Sequence, residues 1–328
     1  MRKNFADRVI ESICKNMSYL CVGLDPQLRY FPPHILQYCA KTYGPGIEAT
    51  ARAIVMFYQT IIDVTNEFAF AFKPQMAFYE KYGHWGVWAF EQVVRYALST
   101  EKIVVEDAKR EDGDDTSKAY ADGHLGQIEI INQEGGLDMV SNVYDVDALT
   151  ITPWIEEPNF KPFFEVAKNE GRGIFVVDRT SFKPTSSLQE MKDECGEKGW
   201  IKLAKKIREM GEEIKGKNGY SSIGVVMGAT YPEDAPIMKD ILPWAFKLVP
   251  GFGVQGSGAD DAVVCVNKDG FGIIPNNSRG TNYAWHPKFK SEFQCKPTSF
   301  ALAAASASRQ ARDALNAAVL KRIGKLPW

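Results

Sequence analysis

Cysteine and histidine are both scarce in this chain, and neither is grouped. The six cysteines (Cys14, Cys21, Cys39, Cys195, Cys265 and Cys295) form no C-x-x-C pair, and the four histidines (His34, His84, His124 and His286) are far apart. That spacing argues against a zinc site or a disulfide framework and suits free thiols in a reducing cytosol; the histidines read as surface or packing residues. Long apolar runs are also missing, so no segment reads as a membrane span. The first residues, Met1 to Asp7, lack an apolar signal core and read as the start of an amphipathic helix. Charge of one sign is not in excess. A net charge of -2 over 328 residues gives no basic footprint for nucleic acid or an acidic membrane surface. The expectation is a cytoplasmic globular protein that handles a small molecule.

What is present is an alternation. Short apolar runs alternate with amphipathic segments from end to end. Strands are predicted at Tyr19–Leu24, Phe68–Phe72, Ile103–Lys109, Ala148–Thr152, Gly173–Val177, Ile223–Met227, Phe246–Val249 and Phe271–Ile274. Helices are predicted near 46–65, 85–98, from Thr116, 160–168, 200–215, 232–242, briefly from Ala259, and 298–323. Strands apolar on both faces, each followed by a helix, describe a parallel sheet buried on both sides. Polar residues follow nearly every strand, among them Asp25, Lys73, Asp107, Lys109, Thr150, Thr152, Ser181 and Arg279. A closed barrel gathers all such strand ends at one mouth, whereas an open doubly wound sheet uses only those at its switch point. The reading is therefore a single α/β domain over 1–328, a (β/α)8 TIM barrel with parallel strands and extra terminal helices. Lys183 to Gly199 is long and polar and is expected as a mobile loop over the mouth.

The densest chemistry is Asp107-Ala108-Lys109-Arg110-Glu111-Asp112. On a strand, Asp107 and Lys109 share one face while Glu106 and Ala108 take the other. Asp112 falls past the strand end. Charges at the end of a buried strand are costly unless they serve one another or a ligand. A structural ion pair capping the strand is the plain alternative. Near the C-terminus, Pro250 to Gly258 is glycine-rich and Asn276 to Gly280 supplies Arg279. These loops follow strands seven and eight, where barrels commonly bind phosphate.

The motifs now line up in order: Val22-Gly23-Leu24-Asp25-Pro26; Phe72-Lys73-Pro74-Gln75 with Phe78-Tyr79-Glu80; Asp107 to Asp112; Thr180-Ser181; Val226 to Thr230; Pro250-Gly251 through Gln255-Gly256; and Asn276 to Gly280. Together they resemble the orotidine 5′-monophosphate decarboxylase family over almost the whole chain. The resemblance implies a cofactor-free lyase of pyrimidine (UMP) biosynthesis that binds no metal. It implies a catalytic tetrad of Lys73, Asp107, Lys109 and Asp112. It also implies substrate contacts from Asp25 and Thr116 at the ribose, Ser181 at the pyrimidine, and Gln255 and Arg279 at the phosphate. Asp112 and Thr116 would enter the partner's site, so a homodimer with shared sites is implied. Two positions depart from the family pattern: Gly113 stands where isoleucine is frequent, and Asn277 where serine is frequent. Two other readings share some of these residues: a Mg-dependent sugar-phosphate aldolase or epimerase of the same barrel group, and a non-catalytic binder of nucleotide phosphate.

Overall fold

The computed structural model describes residues 2–182, 184, 187–253, 258–289 and 296–328. Eight parallel strands close into a barrel: β1 (Cys21–Leu24), β2 (Ala71–Pro74), β3 (Ile103–Arg110), β6 (Ala148–Ile151), β7 (Gly173–Arg179), β8 (Ile223–Met227), β9 (Lys247–Val249) and β10 (Ile273–Asn277). β4 (Gln127–Ile131) and β5 (Leu137–Ser141) form a separate antiparallel hairpin between β3 and β6. The barrel closes where β1 meets β10, with Cys21 opposite Asn276 and Val22 opposite Asn277. Helices separate most of the strands and cover the barrel. The longest are Ile47–Thr65, Gly83–Ser99 and the terminal Phe300–Ile323.

Every residue of β1, β6, β8 and β9 is buried, as expected for strands with the barrel interior on one side and helices on the other. The N-terminal helix Phe5–Asn16 packs Phe5 edge-on against Phe175 of β7 and is capped by Asn4, whose side chain accepts from the Ala6 and Asp7 amides. Gly173 is obligatory there, since a Cβ would stand 2.3 Å from the Phe5 ring.

The predicted strands all form, but two are displaced. β2 begins at Ala71 and runs into Lys73-Pro74, and β10 begins at Ile273 and runs into Asn276-Asn277. Both continue through the polar residues that face the mouth, where an apolar run has already ended. The β4–β5 hairpin was not expected. In β4 and β5 most residues are exposed and none is buried, so no one-sided alternation marks these strands. The segment expected as a mobile loop, 183–199, contains a short helix, Ser187–Glu190. It is tied down by Glu190, which pairs with Arg179 and Lys198, both at 2.7 Å.

Candidate active site

The inner face of β3 sets the site. Asp107 and Lys109 point into the barrel mouth, and Glu106 points outward toward the helices, as strand alternation requires. The Asp107 carboxylate is enclosed by donors. Lys73 Nζ on β2 lies 2.8 Å from Oδ2, the Thr150 hydroxyl on β6 donates to Oδ1 at 2.9 Å, and Lys109 Nζ also contacts Oδ1. Burial alone would push this carboxyl up, but the two ammonium groups and their hydrogen bonds outweigh it and hold the group well below the usual carboxylate range. Burial likewise works against the Lys73 ammonium, and Asp107 and Asp25 reverse that effect and hold it above the ordinary lysine value. The ladder between β3 and β6 shifts register between Glu106 and Arg110, and Lys109 sits at φ 52°, in the left-handed region. The Lys109 amide is anchored by the Thr150 hydroxyl at 3.0 Å. Thr150 thus holds both the backbone of Lys109 and the carboxylate of Asp107.

The rim opposite is assembled from β1, β7, β8 and β10. Asp25 follows β1 and faces the cavity with Oδ1 buried and without a protein hydrogen-bond partner. Burial raises its carboxyl, and the Lys73 charge and a hydrogen bond from Ser278 offset this only in part. Gly23 makes that arrangement possible, because a Cβ there would stand 1.9 Å from the Ser278 hydroxyl. Gly228 does the same on the other side: its Cβ would meet the Ser181 backbone at 2.5 Å, so the ends of β7 and β8 approach closely only without a side chain. Arg279 follows β10 and borders the cavity together with Pro250 and Gly251. The cavity measures about 390 Å³, with Phe78, Phe252 and Leu248 among its apolar walls, a size and lining suited to a nucleotide-sized ligand.

Six of the expected site residues therefore meet at one cavity: Asp25, Lys73, Asp107, Lys109, Ser181 and Arg279. Two do not. Asp112, just before the helix Asp114–His124, and Thr116, in its first turn, are exposed and do not line the cavity. Gln255 lies outside the described residues. Three residues at the site had no assigned role in the sequence reading: Thr150, Gln75, which bridges to Asp107 and lines the cavity, and Asn276. Thr150 carried a signal, as a polar residue at a strand end, but nothing in the sequence says which carboxylate it meets. Among the described residues, no three His, Cys, Asp or Glu side chains converge where a metal ion could sit.

Comparison with known proteins follows from this geometry. Residues 18–269 match the family model for the orotidine 5′-phosphate decarboxylase / HUMPS family. The chain belongs to that family. It is 31% identical over 317 residues to an orotidine 5′-phosphate decarboxylase of Caldicellulosiruptor bescii, covering 96% of this chain and 99% of the relative. It is 33% identical over 279 residues to the protein of the same name from Clostridium tetani, covering 85% and 88%. The structure of Leishmania donovani OMP decarboxylase superposes with a TM-score of 0.69 at 26% identity, covering 97% of this chain and 99% of that one.

Proposed function

We propose that this protein is an orotidine 5′-monophosphate decarboxylase, converting OMP to UMP and carbon dioxide in pyrimidine biosynthesis as a single catalytic domain. The observation that supports this most directly is Asp107 held between the Lys73 and Lys109 ammonium groups at the base of a nucleotide-sized cavity. Breaking the bond between C6 and its carboxylate leaves an electron pair on C6 with no carbonyl sink, so the protein itself must stabilise the charge. In our reading Lys109 faces that carbon and delivers a proton from Nζ to C6 as carbon dioxide leaves, and solvent then restores the ammonium. Asp107 lies beside the departing carboxylate and, with Lys73, fixes the position of Lys109. No cofactor takes part.

Asp25, whose buried Oδ1 is unpaired, accepts from a ribose hydroxyl. Ser181 meets the pyrimidine edge, and Arg279 and Gln255 grip the phosphate. Asp112 and Thr116 serve a second copy of the chain, which their exposed position outside their own cavity allows. The working form is then a cytoplasmic homodimer with shared sites. No helix among the described residues is long and apolar enough to cross a membrane.

The Mg-dependent aldolase or epimerase and the non-catalytic binder are not favoured. The near full-length relatives are named as decarboxylases, and a binder would gain little from burying Lys73 and Asp107 together beside a second ammonium group. The test is loss of OMP absorbance on adding purified protein in excess chelator. Turnover without metal supports the decarboxylase, and turnover that appears only on adding Mg²⁺ rejects it.

A further inference from the structure

The outer face of β3 holds a second set of charges that this chemistry does not use. Glu106 precedes Asp107, Arg110 follows Lys109, and neither lines the cavity. Glu106 is completely buried. Nδ1 of His124, the last residue of the helix Asp114–His124, lies 2.9 Å from its carboxylate. On the other edge of the same ring, Arg110 Nε donates to His124 Nε2 at 3.3 Å. The far end of the Arg110 guanidinium pairs with Glu80 in the short helix Ala77–Glu80, which also places Phe78 on the cavity wall. Tyr144 stacks on the imidazole at 5.4 Å, and Tyr120 lies 5.5 Å from the guanidinium.

Donor and acceptor roles order this run of side chains. Arginine has only donors, so His124 Nε2 must present a lone pair to it. Nδ1, on the other side of the ring, faces Glu106. The sequence Glu80, Arg110, His124, Glu106 is a continuous run in which each donor has an acceptor. For packing alone, apolar residues of similar shape would serve as well or better than a buried carboxylate and imidazole.

The four residues bracket one feature, the left-handed backbone at Lys109. A non-glycine residue in that region is strained and persists only where its surroundings over-determine it. On the inner side the restraint comes from Thr150. On the outer side it comes from Arg110, whose backbone carbonyl accepts from the Thr152 amide at 3.2 Å and whose side chain is clamped at both ends.

We propose that Glu80, Arg110, His124 and Glu106 are positioning residues that hold the turn at Lys109 from behind the strand and so aim its Nζ for the chemical step. This rests on the reading of Lys109 as proton donor. None of the four touches the cavity, so substrate binding should not depend on them.

The test is Arg110→Met, which keeps the stem and removes the guanidinium from a partly exposed position. We expect kcat for OMP to fall about 30-fold, since a misplacement of about 1 Å can cost on the order of 10²-fold. KM for OMP and the Kd for UMP should stay within about threefold. Arg110→Lys should recover little, because its single nitrogen lacks the spaced donors with which Nε meets His124 and the far end of the guanidinium meets Glu80. If Arg110→Met does not fold, the double variant Glu106→Leu/His124→Phe replaces the buried polar pair by apolar groups and should show the same selective loss of kcat. A kcat within twofold of wild type in the variant that folds overturns the proposal, as does a parallel weakening of UMP binding. Lys109→Ala, run alongside, separates the two claims. If it is inactive while Arg110→Met is normal, only the positioning role fails. If Lys109→Ala is active, the reading of Lys109 itself fails.

Discussion

The two halves of the barrel mouth are built differently. Around β2, β3 and β6 the working groups are charged side chains paired with one another: Lys73 and Asp107 are 4% and 8% exposed, and Lys109, though its side chain is 42% exposed, is held by Asp107. Around β1 and β7 to β10 the rim is built of close-packed strand ends, small residues and a partly exposed arginine, made possible by the missing side chains at Gly23 and Gly228. The contrast matches two demands. A field acting on a reacting carbon must be in place before the substrate arrives, so its sources are fixed to each other. A handle on a distant phosphate has only to be reached, and its binding energy can then assist the step elsewhere.

Breaking the locked half should have the largest effect. Lys109→Ala should lower kcat by at least about 10³-fold, the scale expected for losing a group that acts in the transition state, while UMP still binds by calorimetry. Turnover within tenfold of wild type would sink its role. Next comes the open half. Arg279→Ala should lower kcat/KM for OMP by about 100-fold and leave any slow reaction of the nucleoside without phosphate unchanged. Equal losses on both substrates would mean that Arg279 serves the fold.

A third experiment asks whether the locked half is complete in one chain. Lys109→Ala and Asp112→Ala, each inactive, are dissociated and reassembled together. If Asp112 works across an interface, about half the dimers are mixed, each with one sound site of two, and about 25% of wild-type activity returns. No recovery, with exchange confirmed by mass, would make Asp112 a residue of its own chain.

The smallest effect separates the two carboxylates by pH. Burial raises the Asp25 carboxyl, so at neutral pH its ionised form is a cost to folding that is relieved as pH falls. Asp25→Asn should raise Tm by a few degrees at pH 7, on the order of 1 kcal/mol, with the gain shrinking toward acid, while KM for OMP rises. Asp107 is depressed, so its contribution is present above the ordinary carboxylate pKa and is lost only as pH falls through its lower folded value. Asp107→Asn should therefore lower Tm at pH 7. The same sign for both variants would erase the distinction drawn here.

Much of this was legible in the sequence because a parallel barrel writes itself as apolar runs. Where those runs give way to polar residues the pattern stops short of the strand: the run Phe68–Phe72 ends before Lys73-Pro74, through which β2 continues, and the run Phe271–Ile274 ends before Asn277, where β10 ends. The clustering of Asp107 and Lys109 followed from alternation alone. The partnership of Thr150 with both did not, since it depends on the register of β3 against β6. His124 was expected as a surface or packing residue. Its pairing with Glu106 is a helix end meeting a strand, and neither residue's local pattern announces it.

The seam of the barrel gives Asp25 and Arg279 a further meaning. They follow the first and last strands of the barrel, and β1 and β10 meet through only two register pairs. Across that joint, Asn282 donates to the Gly23 carbonyl and the Tyr283 hydroxyl to the Asp25 carbonyl, both at 2.8 Å. Among the strand pairings of the barrel, this is the one of greatest sequence separation and so the one whose loop is most expensive to close. A nucleotide that touches both residues is therefore a clasp on the barrel's first and last strands, opposing the opening of the barrel in proportion to its occupancy.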